Sequence, residues 1–407
     1  MLEARLAARN LLRQPVRSAI ALSAIFFGLI SLLLSVGFIE WIFWAMREAT
    51  VQSRLGHIQV AKAGFFQQAQ NDLSSFVLSD QAPELPVIAS TPEVRIVTPR
   101  LNFSGLISHG ETTLSFIGEG VAPEKEQQVS RFLFVVRGNS LSSADSRGII
   151  LGEGLAGNLG VNVGDRVVLL TNTPSGGINA VEARVRGTFY TLSKQFDDAA
   201  LRVPIGLARE LLRTAGASLW IVLLDKTENT EKVLAQLKKE FPQHSNTIEF
   251  RPWSDLADFY NKTVALYSRQ MFVLKIIIAL IIVLSIANTM AMNVLERTGE
   301  IGTLMALGTK GKRIMRLFLT EGLILGLIGG LIGLLVGYLL ALIISAFGIP
   351  MPPAPGMSRG FSGEIRLTWG SAVNAFLIAV LTSLLATLYP AWKASRLNIV
   401  DALRHNR

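Results

Sequence analysis

The sequence predicts an α-helical membrane protein with four transmembrane helices and a large mixed α/β extracytoplasmic domain inserted between helices 1 and 2. Three observations predict it. First, the stretches 18–39, 276–295, 322–358 and 367–392 carry no charged residue, and each is as long as the roughly 20 apolar residues a helix needs to cross the ~30 Å hydrocarbon core. Second, between residues 40 and 275 the longest uncharged run, 167–181, is interrupted by Asn172, Thr173, Pro174, Ser175, Gly176 and Gly177, so nothing there can span a bilayer. Third, the charge excess is confined to short flanks. The 407-residue chain has 39 Lys and Arg against 30 Asp and Glu, a formal net charge of +9. Segments 1–18, 295–316 and 390–407 each contribute +3, and the remainder is balanced.

Lys and Arg are retained on the cytoplasmic side of short loops. Both termini and the middle connection are therefore expected in the cytoplasm, and the inserted domain on the opposite side. The excess belongs to these flanks rather than to a compact basic domain, which argues against nucleic acid as a partner. Half of the residues are hydrophobic and 17% charged, which excludes a disordered chain and an ordinary soluble enzyme.

The elements follow in order. Residues 1–17 carry Arg5, Arg9, Arg13 and Arg17 as a slowly drifting basic stripe, predicting an amphipathic helix on anionic headgroups. Helix 1 is assigned to 18–45; its apolar region exceeds that of a signal peptide and no small-residue cleavage site precedes Glu40, so a permanent anchor is expected. Around Glu40, the aromatic residues Phe38, Trp41, Phe43 and Trp44 form either an interfacial belt or a lateral mouth for an amphiphile. The inserted domain occupies 46–268, helix 2 269–295, a cytoplasmic connection 296–316, helix 3 317–347, an outer loop 348–366, helix 4 367–390 and a cytoplasmic tail 391–407. Helix 3 stops near Phe347 because Pro350, Pro352, Pro353 and Pro355 cannot sit in a helix interior. Within it Gly322, Gly326, Gly330, Gly333 and Gly337 line one small-residue face, suited to packing within the chain or to a dimer seam.

In the inserted domain, 56–60, 114–117, 166–170, 181–185 and 219–224 read as strands. Val233, Leu234, Leu237 and Phe241 recur at helical spacing over 231–241. With 219–224 and 248–251 this helix makes a strand-helix-strand unit, divided around 206–216 from a larger strand-rich subdomain. A helix over 254–267 is expected to feed directly into helix 2 as a continuous rod. Gly152-Glu153-Gly154-Leu155-Ala156-Gly157 matches a dinucleotide fingerprint, but Gly160, Gly164 and Asp165 end the following helix within about two turns, so a structural turn is expected.

Catalytic chemistry is scarce. His57, His109, His244 and His405 are widely separated and there is no cysteine, which speaks against a metal site and rules out disulfides. Neither a Gly-x-Ser-x-Gly elbow nor a phosphate-binding loop occurs. The chain is therefore expected not to be an enzyme and to bind no cofactor itself. In the segment 296–308, Ile301, Leu304 and Met305 fall at i, i+3 and i+4, with Glu296 and Glu300 one turn apart on another face. Gly308 suits the left-handed residue after a helix end. This predicts a short amphipathic helix with apolar residues available to a partner, either an interfacial turn or a docking element.

Several segments together resemble one family. They are Glu296-Arg297-Thr298-Gly299-Glu300-Ile301-Gly302 through Ala306-Leu307-Gly308, Glu321-Gly322 at the start of the Gly-rich helix, and Tyr389-Pro390-Ala391-Trp392-Lys393-Ala394-Ser395 through Asp401-Ala402-Leu403-Arg404. With the long domain after helix 1, they resemble the FtsX/MacB-type ABC transporter permeases over essentially the whole chain. Residues 148–165 resemble that family's periplasmic domain, and Gly56-His57-Ile58-Gln59-Val60 with Gly64-Phe65-Phe66 is most similar to the lipoprotein-releasing (LolC/LolE-like) branch.

The resemblance implies a bacterial inner-membrane assembly of two permeases, as homodimer or heterodimer, with two ATPase subunits that bind ATP and Mg. It implies that Glu296, Arg297, Glu300, Ile301, Leu304, Met305, Leu307 and Gly308 form the coupling helix. Phe38, Trp41, Phe43, Trp44, Met271 and Phe272 become candidate acyl contacts, and a periplasmic carrier or adaptor a further partner. The carrier-capturing relatives have a longer hook where this chain has only 172–179. MacB-like efflux through an adaptor and outer-membrane duct, and FtsX-like mechanical activation of a cell-wall hydrolase, are the other activities the family implies.

Overall fold

The computed structural model describes residues 2–13, 15–68, 76–173, 176–241, 247–353, 359–398 and 402. The chain opens with helix α1 (Leu2–Arg13) and helix α2 (Pro15–Thr50). Pro15 takes the first helical position of α2, where a missing N–H costs nothing. A π-helical turn, Val51–Leu55, closes α2 at Gly56, whose φ of +66° favours glycine.

The inserted chain then forms β1 (Ile58–Lys62), α3 (Phe65–Gln68), α4 (Glu84–Ser90), β2 (Val94–His109), β3 (Thr112–Val121), α5 (Pro123–Val129), β4 (Phe134–Gly138) and β5 (Gly148–Gly152). It continues with α6 (Glu153–Leu159), β6 (Arg166–Asn172), β7 (Ile178–Tyr190), α7 (Lys194–Asp197), β8 (Ala200–Pro204), α8 (Ile205–Leu212), β9 (Leu219–Leu224), α9 (Thr230–Glu240), β10 (Ile248–Pro252) and α10 (Trp253–Leu256). After it come α11 (Asp258–Glu296), α12 (Thr298–Ala306), α13 (Gly311–Phe347), the short strands β11 (Ile349–Met351) and β12 (Phe361–Gly363), and α14 (Trp369–Ser395). Among the described residues, four helices are long and apolar enough to cross a membrane: α2 with its π turn, α11, α13 and α14. Thr368 starts α14 with a capping box to Ser371.

The chain divides into two compact units, one of 1–44, 263–350 and 362–407, the other of 45–262 and 351–361. In the second, β2, β3, β8, β5, β7 and β6 pair in a closed ring, with β3–β8 and β5–β7 parallel and the other pairs antiparallel. Its interior holds Phe103, Phe116, Leu151, Val167, Val181 and Leu201, with α6 and α8 packed against them. The first half of β2 pairs instead with β9, which continues through β1 to β10. There a second core forms around Trp220, Val222, Val233 and Leu237.

Two expectations change. The segment around 206–216 is not a divider: it is largely α8, whose Leu207, Ala208, Leu211 and Leu212 are buried in the ring's core. The sixteen-residue β2 takes part in both halves, so one ten-stranded sheet carries two cores. Nor is 254–267 one rod. Ala257 (φ −95°, ψ 55°) separates α10 from α11, and Asn261 Nδ2 spans the break by donating to the Ser254 carbonyl at 2.7 Å.

At the fingerprint-like glycines, α6 is seven residues long and stops at left-handed Gly160. A Cβ on Gly152 would meet the Asp197 carbonyl at 2.1 Å, so this glycine serves a close backbone approach. Thr173 and Gly177 close the turn between β6 and β7, the Thr173 N–H donating to the Gly177 carbonyl at 2.6 Å. Pro174, Ser175, His244, Pro355, Asp401, Leu403, Arg404, His405 and the Arg5 side chain lie outside the described residues.

Candidate functional site

Helix α12 begins where Arg297 (φ −93°, ψ 10°) interrupts the helix that α11 would otherwise continue. Ile301 is 3% exposed, packed with Val294, Ile314, Phe318, Ala391 and Ala394, and Met305 packs against the same cluster. The outward face is Glu300, Thr303, Leu304 and Leu307, with Leu307 80% exposed. Of the three residues read as one apolar face, only Leu304 is therefore available; Ile301 and Met305 root the helix in its own unit. Gly308 has φ +89° and donates to the Met305 carbonyl at 3.0 Å, while the Thr309 N–H reaches the Leu304 carbonyl at 3.0 Å. This closes the helix end and leaves Leu307 at its tip.

Charged side chains fix α12 and its cap to α13 and α1, and the end of α11 to α2. Glu321 of α13 is buried, accepting hydrogen bonds from Asn10 Nδ2 at 2.8 Å and Arg297 Nη1 at 3.1 Å. The Arg297 guanidinium also lies 5.7 Å from the Phe318 ring centroid. Arg17 pairs with Glu296, and Arg13 lies 3.6 Å from Glu300. Two arginines of the supposed headgroup stripe thus meet carboxylates of the connection, while Leu6 and Leu12 of α1 are exposed. Sequence reasoning missed Asn10 and the role of Glu321. A lone carboxylate at the threshold of an apolar helix was the available signal, because such a group needs a partner.

The glycine face of α13 packs inside the chain. A Cβ on Gly322 would lie 2.4 Å from Thr387 Cγ2, on Gly326 3.0 Å from Ser383 Cβ, and on Gly330 2.9 Å from Phe376 Cε2, all on α14. Toward α2, a Cβ on Gly333 would lie 3.0 Å from Leu29 Cδ2 and one on Gly337 2.9 Å from Leu33 Cδ1. Ser383 Oγ donates to the Gly322 carbonyl at 2.6 Å, a contact that only a glycine approach permits. Of the two uses left open for this face, the structure fills the intrachain one.

The aromatic residues of α2 are partnered one by one. A Cβ on Gly363 would sit 2.8 Å from the Phe38 ring, Phe43 meets Tyr267 edge-on at 6.4 Å, and the Arg366 guanidinium lies 4.8 Å from the Trp44 ring. Trp41 and Met271 are half-buried. Phe272 is 64% exposed on α11, in line with exposed Ile276 and Leu280. Tyr267, Gly363 and Arg366 were not singled out from sequence; the last two lie more than 300 residues from α2's start, a pairing that periodicity does not encode.

A model of the MacB-like periplasmic core domain matches residues 18–240, and one of the FtsX-like permease C-terminal domain matches 272–399. The lipoprotein-releasing system transmembrane protein LolE of Haemophilus influenzae is 24% identical over 334 residues, covering 78% of this chain and 79% of that protein. LolC of Xylella fastidiosa is 26% identical over 339 residues, covering 77% and 78%. The macrolide export ATP-binding/permease protein MacB of Rhodospirillum rubrum is 29% identical over 262 residues, 62% of this chain and 37% of that one. With the core-domain match alone spanning more than half of its residues, the chain belongs to the FtsX/MacB-type ABC transporter permeases.

Proposed function

We propose that this permease, in a bacterial inner membrane, releases lipoproteins under the power of a separate ATPase. The chain has no phosphate loop; ATP and Mg bind on an ABC ATPase dimer, and a second permease completes the assembly. In this reading α12 and both termini are cytoplasmic, as the three +3 flanks direct, and the inserted domain is periplasmic. The observation that carries it is the form of α12. Its buried Ile301 face anchors it to α11, α13 and α14, while Leu304 and Leu307 stand out at its tip. Exposed leucines on a rigid mount are the pattern of an interface anchor awaiting a groove.

Lipoprotein as substrate draws on the LolE and LolC relatives and on the aromatic end of α2, where Phe38, Trp41, Phe43 and Trp44, with Met271 and Phe272 on α11, offer apolar surface to acyl chains. Depleting the protein is expected to leave lipoproteins in the inner membrane. Re-expressed L304D/L307D should insert normally yet fail to restore sorting or substrate-stimulated ATP hydrolysis. Normal sorting after depletion sinks the substrate assignment, and full rescue by L304D/L307D sinks the coupling assignment. The match of 18–240 to a MacB-like core and the shortness of the 172–179 connection favour a second reading, efflux through an adaptor and duct.

A further inference from the structure

A helix end leaves its last carbonyls without intrahelical donors. At the end of α2, within the 45–262 unit, those carbonyls are taken by side chains and backbone of the sheet domain. The Phe132 N–H donates to the Gln52 carbonyl at 3.2 Å. Ser53's carbonyl accepts from Arg202 Nη2 at 2.8 Å and Ser130 Oγ at 3.2 Å, and Arg54's accepts from Arg100 Nη1.

Arg100 of β2 and Arg202 of β8 are both fully buried. Their charges are balanced behind the grip. Arg100 Nη2 donates to Glu126 Oε1 at 2.5 Å, and Arg202 Nε to Glu119 Oε2 at 2.7 Å. Ser130, which accepts from Arg202 Nη1 at 2.8 Å, lies 2.6 Å from Glu126 Oε1.

One turn earlier, Thr227 Oγ1 donates to Glu48 Oε1 at 2.9 Å and lies 3.0 Å from His57 Nε2. Val51 shares a small core with Trp253 and Ala257, so the end of α2 and the start of α11 are rooted together. Two buried ion pairs contribute little stability that apolar residues of the same volume would not supply. What apolar residues lack is the ability to hold carbonyl oxygens.

We propose that Arg100 and Arg202 are positioning residues of the transport cycle, clamping the Ser53 and Arg54 carbonyls so that the end of the first membrane helix and the sheet move as one body. The inference rests on the reading that this permease passes ATPase motion to its inserted domain. The test uses the full chain co-purified with its ATPase in nanodiscs, following hydrogen exchange with and without ATP and vanadate.

In R100M and R202M the 51–57 amides should exchange about tenfold faster, as expected for losing a charge-assisted hydrogen bond. Those of β9 should be unchanged and ATP hydrolysis retained, while the nucleotide-dependent change of exchange in the sheet domain disappears. A full nucleotide response in a variant with loosened 51–57 overturns the clamp. So does a 51–57 segment that exchanges as in wild type. If either substitution also loosens β9, as removing one arginine from the buried network can, S130A decides by the same two criteria, since it deletes only one hydroxyl. The readout needs no substrate, so a wrong substrate assignment fails the sorting experiment and leaves this one intact.

Discussion

The chain buries carboxylates against arginines in both of its units, and does so differently. In the inserted domain Glu119, Glu126, Arg100 and Arg202 are all buried, two charges of each sign. Burial alone would raise the Glu119 carboxyl, yet the charges of Arg100, Arg202 and Arg54 hold it down at about 2. Among the described residues of the membrane-helix unit, Glu321 is the one buried carboxylate. Its network runs outward through half-buried Arg297 to exposed Glu300 and Arg13. The first arrangement is a sealed joint, in which Arg100 and Arg202 are each shared between Glu119 and Glu126. The second is graded, and its outer members can exchange partners when another surface covers α12.

The difference predicts unequal costs. Glu119→Leu leaves two buried guanidiniums with one carboxylate, and breaking a buried pair in this way costs about 3–5 kcal/mol. Urea or thermal unfolding of the purified chain should show that loss in the inserted domain. Combining it with R100M, R202M and E126L should recover most of the stability. A loss under about 1 kcal/mol for Glu119→Leu alone would mean that the joint is not sealed. Glu321→Gln is milder: the amide keeps an acceptor for Asn10, and Arg297 retains Glu300 at 3.4 Å. The expected cost is about 1–2 kcal/mol, the loss of one charge-assisted hydrogen bond. Under the coupling role proposed for α12, its larger effect should fall on stimulated ATP hydrolysis, since Arg297 then has less to hold α12 in place. A Glu321→Gln chain as destabilised as Glu119→Leu would erase the distinction between the two networks.

These networks mark where sequence was legible and where it was not. The membrane helices announced themselves through uncharged runs, because a charge in hydrocarbon is costly wherever the helix points. The small face of α13 was legible too, but not that Thr387 and Ser383 on α14 and Leu29 and Leu33 on α2 would fill it. On α12 the apolar spacing was visible and its direction was not: Ile301 and Leu304 look alike in sequence, and only packing against Phe318 and Ala391 makes one core and the other surface. The sealed joint was unreadable. Arg202 meets a carboxylate 83 positions away and Arg100 one 26 away, and both pairings depend on a strand register that alternation alone does not set.

The smallest effect separates the sealed joint from buried groups that lack a counter-charge. His57 Nδ1 accepts from the Leu224 N–H at 3.0 Å, which places the proton on Nε2 facing Thr227. Burial lowers this imidazole from 6.5 to about 4, although Glu48 and Asp225 pull it upward. Between those values the unfolded chain binds a proton that the folded one does not, so His57 makes stability rise with pH. Asp197 works in the opposite sense. Burial raises it from 3.8 to about 6, against the hydrogen bonds it accepts from the Thr191 N–H and hydroxyl. The folded chain then holds the extra proton, and this contribution is lost as pH rises from about 4 to 6. The two slopes oppose each other over a shared window, so their net effect in the wild type is small. In H57Q the stabilising slope is gone, and the difference between wild type and variant should grow with pH by up to about 1.4 kcal/mol per unit. In D197N the difference should run the other way over the lower part of the range. Unfolding midpoints measured at half-unit steps from pH 4 to 7 check both. Glu119, held at about 2 in the folded chain, adds a slope of its own at the lower end of the range, where the unfolded carboxyl takes up protons. It adds the same slope to wild type and variants and cancels in the difference; an H57Q profile parallel to wild type would show that His57 is not buried neutral.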